Sequence, residues 1–168
     1  MRAVMRDSIA ENGVVGAGGA GFPAAVKLSA RASTFIVNAA ECEPLLHKDK
    51  ELLLHHWTEV RRGIEVAMER TGAERGVVGI KEKHTQLIGQ LKKSLPPQVS
   101  LHPLRDSYPS GDEFILVYDV TGRVIPPGGL PLHVGAVVSN VETLYNIGAD
   151  RPVTRKFLTV AGAVVHPV

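Results

Sequence analysis

Cysteine is almost absent from this 168-residue chain, in which Cys42 is the one thiol. That excludes an internal disulfide and any four-cysteine zinc or iron–sulfur centre built from this chain alone. Aromatic residues make up only 5%, and 19 basic against 17 acidic side chains leave a net charge of +2. Such a surface offers nucleic acid neither stacking partners nor electrostatic attraction. No apolar run approaches the roughly 20 residues a membrane-spanning helix needs. Residues 1–7 lack the apolar core of a signal peptide, so a cytoplasmic protein is expected. The seven histidines are dispersed, with no pair at ligand spacing, and no metal site is expected. What remains is a 44% hydrophobic chain of ordinary domain size, long enough to bury a core.

Against this plain background, GAGGAGFPAAVK (residues 16–27) stands out. Gly16, Gly18, Gly19 and Gly21 permit positive φ angles and a close approach of the backbone to a ligand. Their N–H groups can converge on an anion at the mouth of the helix expected over residues 23–30, where Pro23 suits the first turn. Lys27, about one turn further on, can add a positive charge. Three readings of the loop compete. Gly16, Gly18 and Gly21 fit the dinucleotide fingerprint G-x-G-x-x-G, with Glu41 placed 20 residues after Gly21 to hold a ribose. That fingerprint needs a buried strand leading in, whereas residues 6–12 read as a short helix stopped by Gly13. A P-loop fails for want of Gly-Lys-Ser/Thr. A tight structural turn is the third reading, and the loop alone leaves turn and ligand site equally open.

The rest of the chain alternates strand and helix patterns. Buried strands are expected at residues 34–38, 76–80 and 99–104. Residues 49–70 carry apolar side chains at helical spacing and predict one long amphipathic helix ended near Gly72. Further helices are expected at 84–95, closed by Pro96 and Pro97, at 111–121, ended by Gly122, and at 141–147, N-capped by Asn140. Residues 126–131 read as an irregular loop. The pattern implies an α/β fold with a mostly parallel sheet and helices on both faces. Residues 156–165 read as two short strands around Gly162, a hairpin with nothing to pack on. The chain is therefore expected to be a fragment, with one domain over residues 1–152 and the start of a truncated β domain over 153–168.

Ligands of open parallel sheets bind beyond the carboxyl ends of the strands. NAAECEP (38–44) follows the first strong strand and puts Asn38, Glu41 and Glu43 there. Gly111, Asp112 and Glu113 place two carboxylates at a turn before a helix. Asn140, Glu142 and Thr143 lie in a segment with the spacing of a plain helix start. Cys42, between two glutamates, is expected to pack and not to act as a redox thiol.

Four segments in fixed order, GAGGAGFPAAVKL, NAAECEP followed by KDKELL, YPSGDE and VSNVETL, resemble one family across about residues 8–168. It is the flavin-binding module shared by the NADH-oxidising subunit of respiratory complex I, the C subunit of Rnf-type complexes and the cobalamin reductase of propanediol microcompartments. The resemblance implies an FMN phosphate cradled by Gly16, Gly18, Gly19, Gly21 and Lys27. It implies further cofactor contacts from Asn38, Glu41, Glu43, Gly111, Asp112, Glu113, Asn140, Glu142 and Thr143, with no side chain needed as nucleophile or general base. Ala40 stands where the family has Asp, and Ser139 where it has Asn, so those contacts are lost. Ala17 and Leu28 replace the Arg and Trp of complex I, which points to the Rnf and cobalamin-reductase branch.

The implied function is an NADH-dependent flavin oxidoreductase module. It would take hydride from NADH onto FMN and pass electrons to iron–sulfur centres or another acceptor outside this chain. Its partners would be electron-transfer domains or subunits, with membrane contact only indirect, through a complex. A non-catalytic flavin relay or scaffold, and a flavin-free Rossmann-type NAD(P)-binding domain, are the alternatives.

Overall fold

The β-branched run TFIVNA forms β1 (Thr34–Ala39), buried along almost all of its length. The computed structural model describes residues 7–43 and 45–165. Around β1 lie β2 (Arg75–Lys81), β3 (Val99–Leu104) and β4 (Ala136–Asn140), all parallel, in the order β3-β2-β1-β4. The helices are α1 (Ser8–Glu11), α2 (Ala24–Leu28), α3 (Lys48–His55), α4 (Trp57–Thr71), α5 (Thr85–Leu91), α6 (Glu113–Thr121) and α7 (Val141–Ala149). A short 3₁₀ turn, Pro131–Val134, leads into β4. Among the described residues no helix is long and apolar enough to cross a membrane.

Strand alternation divides the core between the two faces of the sheet. Phe35, Val37, Val78, Ile80 and Val137 point to one face and pack with residues of α3, α4, α5 and α7. Ile36, Val77, Leu104, Ala136 and Val138 point to the other, where α6 supplies Leu116, Val117 and Val120. The parallel sheet with helices on both faces is thus as the alternating pattern predicts.

The order of strands places the functional edge. From β1 the chain moves through α3 and α4 to β2, then through α5 to β3, all on one side. It then crosses by α6 to β4, on the other side of β1. The carboxyl ends of β1 and β4 therefore flank the point where the strand order reverses, which is where open α/β sheets bind ligands.

Several expectations need correction. The single helix over 49–70 is two helices, broken at His56 (φ −129°, ψ 30°). No proline or glycine marks the break; the His56 ring instead packs edge-on against Tyr145 and Phe157. β4 escaped the sequence reading because its five residues run into α7 with no loop between. The expected hairpin over 156–165 has no strand among its described residues. That segment is held at its start, where Phe157 N–H donates to the Glu142 carboxylate and the Phe157 ring packs on His56 and Tyr145. α2 is shorter than its pattern by three residues and α5 by five, whereas α7 runs two residues past its expected end.

Candidate functional site

The glycine loop is closed before any ligand arrives. Gly16 N–H donates to Phe22 O at 2.8 Å, and Val15 and Pro23 form an antiparallel bridge across its base. Ala17 N–H donates to the Thr143 hydroxyl at 2.9 Å, tying the loop to the first turn of α7. Gly19 (φ 118°) and Gly21 (φ 64°) adopt the left-handed region that favours glycine; Gly16 and Gly18 do not, contrary to the sequence reading. A Cβ on Gly18 would lie in ordinary contact with the Asn140 Cβ, at 3.7 Å, so the loop passes close to the start of α7 there. The amides of Gly18, Gly19 and Ala20 donate to no acceptor among the described residues. No strand of the sheet leads into this loop, so the dinucleotide fingerprint lacks its structural frame.

The loop forms one wall of a cleft of about 710 Å³ beyond the carboxyl ends of β1 and β4. Asn38, next to the last residue of β1, splits its amide between two neighbours. Its Nδ2 donates to Gly111 O at 2.8 Å and its Oδ1 accepts from Ala40 N–H at 3.1 Å. Gly111 N–H in turn donates to Cys42 Sγ at 3.2 Å. A Cβ on Gly111 would run into Ala40 O and Cys42 Sγ, so only glycine lets these two loops touch. Cys42 is therefore a packing and hydrogen-bonding residue. Asp112 N-caps α6 through Phe114 and Ile115 N–H, and Asn140 N-caps α7 through Glu142 N–H. The N-terminal ends of α3, α6 and α7 all border the cleft and turn their partial positive charge toward it.

Twelve of the fourteen predicted site residues line this cleft: Gly16, Gly18, Gly19, Lys27, Asn38, Glu41, Glu43, Gly111, Asp112, Glu113, Asn140 and Thr143. Gly21 and Glu142 do not. Gly21 turns the chain back toward Pro23. Glu142 is only 1% exposed, and its carboxylate is engaged by Lys48 Nζ at 2.8 Å and Phe157 N–H at 3.1 Å. Two others have duties the sequence did not show. Glu41 accepts from Asp49 N–H at 3.0 Å, closing the start of α3. Lys27 Nζ donates to Val138 O at 3.0 Å, leaving two of its three N–H donors for another partner.

The cleft also holds residues to which the sequence reading gave no role: Phe22, Leu46, Lys48, Asp49 and Tyr108. Lys48 and Asp49 sit in the KDKELL segment, but an acidic residue at a helix start reads as a dipole partner and nothing more. Asp49 is buried, and burial pushes its carboxyl up to about 7; Lys48 and Asn140 oppose that rise, while Glu41 and Glu142 add to it. Among the described residues, no group of three or more His, Cys, Asp or Glu side chains is placed to hold a metal ion.

Comparison with known proteins identifies the family. The model of the Nuo51 FMN-binding domain matches residues 9–149. Cobalamin reductase PduS of Citrobacter freundii is 48% identical over 168 aligned residues, covering 98% of this chain and 37% of that protein. The C subunit of the proton-translocating ferredoxin:NAD(+) oxidoreductase complex of Clostridium ljungdahlii is 37% identical, covering 94% of this chain and 36% of that protein. The H2-reduced NAD+-reducing [NiFe]-hydrogenase contains a chain that superposes with a TM-score of 0.72 at 27% identity, over 85% of this chain and 29% of that one. This chain thus spans little more than a third of the curated relatives named here.

Proposed function

Because the chain belongs to the Nuo51 FMN-binding domain family, a family of electron-transfer oxidoreductases, we propose that the cleft between β1 and β4 holds FMN for NADH oxidation. The observation that carries the reading is the row of amides at Gly18, Gly19 and Ala20, unpartnered on a loop already fixed at both ends and by Thr143. Such a nest matches a phosphate dianion in charge, in donor chemistry and in the absence of side chains. Lys27 adds two free donors beside it. The 710 Å³ volume lies within the range of small-molecule and cofactor sites.

When bound, the flavin supplies the hydride acceptor and the one-electron release that no side chain provides. The chain's residues bind and orient. Asn38, Cys42 and Gly111 lock the β1 end to the α6 turn, so the wall facing the loop does not have to form on binding. Glu43 and Glu113 put carboxylate charge at the cleft, where they would hydrogen-bond ring or ribityl donors. Phe22 and Tyr108, 48% and 80% exposed, offer ring faces at the cleft for a nicotinamide nucleotide to stack on. The electron acceptor lies outside this chain, as does any iron–sulfur centre.

The test is a fluorescence titration of FMN into the protein, followed by anaerobic addition of NADH. Saturable binding, with loss of the flavin's visible absorbance on NADH addition, is expected. Gly18→Val should abolish binding, because its side chain projects toward Asn140 and into the cradle. Wild-type affinity in that variant would falsify the loop assignment. Binding without reduction by NADH would leave a flavin relay module in place of an oxidase.

A further inference from the structure

Asp49, at the start of α3, is 3% exposed yet forms part of the cleft wall. Its Oδ2 accepts from Asn140 Nδ2 at 2.7 Å, while its Oδ1 is buried with no hydrogen-bond partner among the described residues. Lys48 answers that oxygen only by a long ion pair, with Nζ 3.8 Å from Oδ1, and gives its hydrogen bond to Glu142 Oε2 at 2.8 Å. The charged groups around Asp49 come from every side. Glu41 faces it from the β1–α3 connection, Lys48 from α3 and Glu142 from α7, and Lys156 of the C-terminal segment reaches Glu142 at 3.7 Å from a largely exposed position. Three carboxylates therefore meet one half-buried lysine, Lys48, whose hydrogen bond goes to Glu142, and the exposed Lys156 reaches that same Glu142.

An ionised Asp49 keeps a bare anionic oxygen out of water, which is costly. A neutral carboxylic acid carries an O–H on that oxygen and needs only an acceptor. Its titration already lies near 7 in the open cleft, with burial the main cause. A ligand that fills the cleft displaces the remaining water, and a phosphate on the loop adds negative charge; both favour the protonated form.

We infer that Asp49 is a proton-binding positioning residue: as FMN fills the cleft, its carboxyl takes up one proton from solvent on Oδ1 and, as a neutral acid, keeps Oδ2 as the acceptor that holds the Asn140 amide at the cleft wall. The inference rests on the FMN reading of the cleft. It makes cofactor loading and proton uptake a single linked event.

Calorimetric titration of FMN into the whole chain tests it, run in two buffers of different ionisation heat at about pH 8, where the phosphate is already doubly ionised. The expected result is uptake of close to one proton per FMN. The Kd should weaken by up to about tenfold per pH unit above the free titration point. Asp49→Asn should erase the uptake and flatten that profile. If the variant does not fold, an infrared difference spectrum of wild type with ¹³C-aspartate should show a new protonated carboxyl band on loading. Equal heats in the two buffers with a flat profile would overturn the inference while leaving FMN binding intact. Uptake that persists in Asp49→Asn would also overturn it, because the proton then belongs elsewhere. Absence of FMN binding would overturn the parent reading and this one together.

Discussion

Thr143 shows how one hydroxyl sets the shape of a site it need not contact through its own chemistry. It accepts the Ala17 amide at 2.9 Å, and so links the glycine loop to a helix more than 120 residues away in sequence. Thr143→Val keeps the shape and removes the acceptor. Its expected cost is about 1 kcal/mol in urea unfolding, with FMN affinity weakened several-fold because the loop loses its anchor. Thr143→Ser should recover most of both. At this scale the Asn140 cap is legible in the sequence, because it acts on backbone two residues away, whereas the Asn38 bond to Gly111 O spans 73 positions. The Lys48–Glu142 pair and the Asn140–Asp49 bond are not legible either, since nothing local distinguishes a carboxylate that will meet a lysine 94 positions away.

Among the elements, α4 and α7 make the closest contact, and two glycines allow it. A Cβ on Gly63 would strike the backbone of Leu144, and one on Gly148 would strike that of Glu59 and Gly63. With backbone on both sides there is no side chain to move aside. Gly148→Ala should therefore destabilise the protein by about 3 kcal/mol or more, read as a lowered urea midpoint with an unchanged slope. It should also weaken FMN binding, because α7 carries Asn140 and Thr143. Elements with a clear period were legible: β3 lies at the expected residues, and the buried face of α4 uses Val60, Ile64, Ala67 and Met68 as the spacing predicts. β4 and the break at His56 were not, as each depends on tertiary packing without turn chemistry of its own.

For the molecule as a whole, the sheet order and the buried carboxylate have consequences for stability. Asp49 titrates near 7 in the fold against an ordinary value of 3.8, with burial the main cause. Between those values the folded state binds more protons than the unfolded state, so this group's contribution to stability falls as pH rises and levels off above about 7. Comparing wild type with Asp49→Asn by urea unfolding isolates it. The difference should shift in favour of wild type by a few kcal/mol between about pH 8 and pH 5. A parallel displacement of the two curves, with no change in their separation, would contradict it. The α/β class was legible from the alternation of patterns. The position of β4 was not, although it creates the switch point: strand order is a property of crossovers, which leave no periodic mark in the sequence.

The sheet ends at β4, and a terminal strand is an open template on which a strand of another molecule can add. Lys27 places its ammonium on the Val138 carbonyl of that strand, so the residue available to a phosphate is also a charged guard against edge-to-edge growth. One ammonium group thus serves both places, with one N–H on the strand and two turned to other partners.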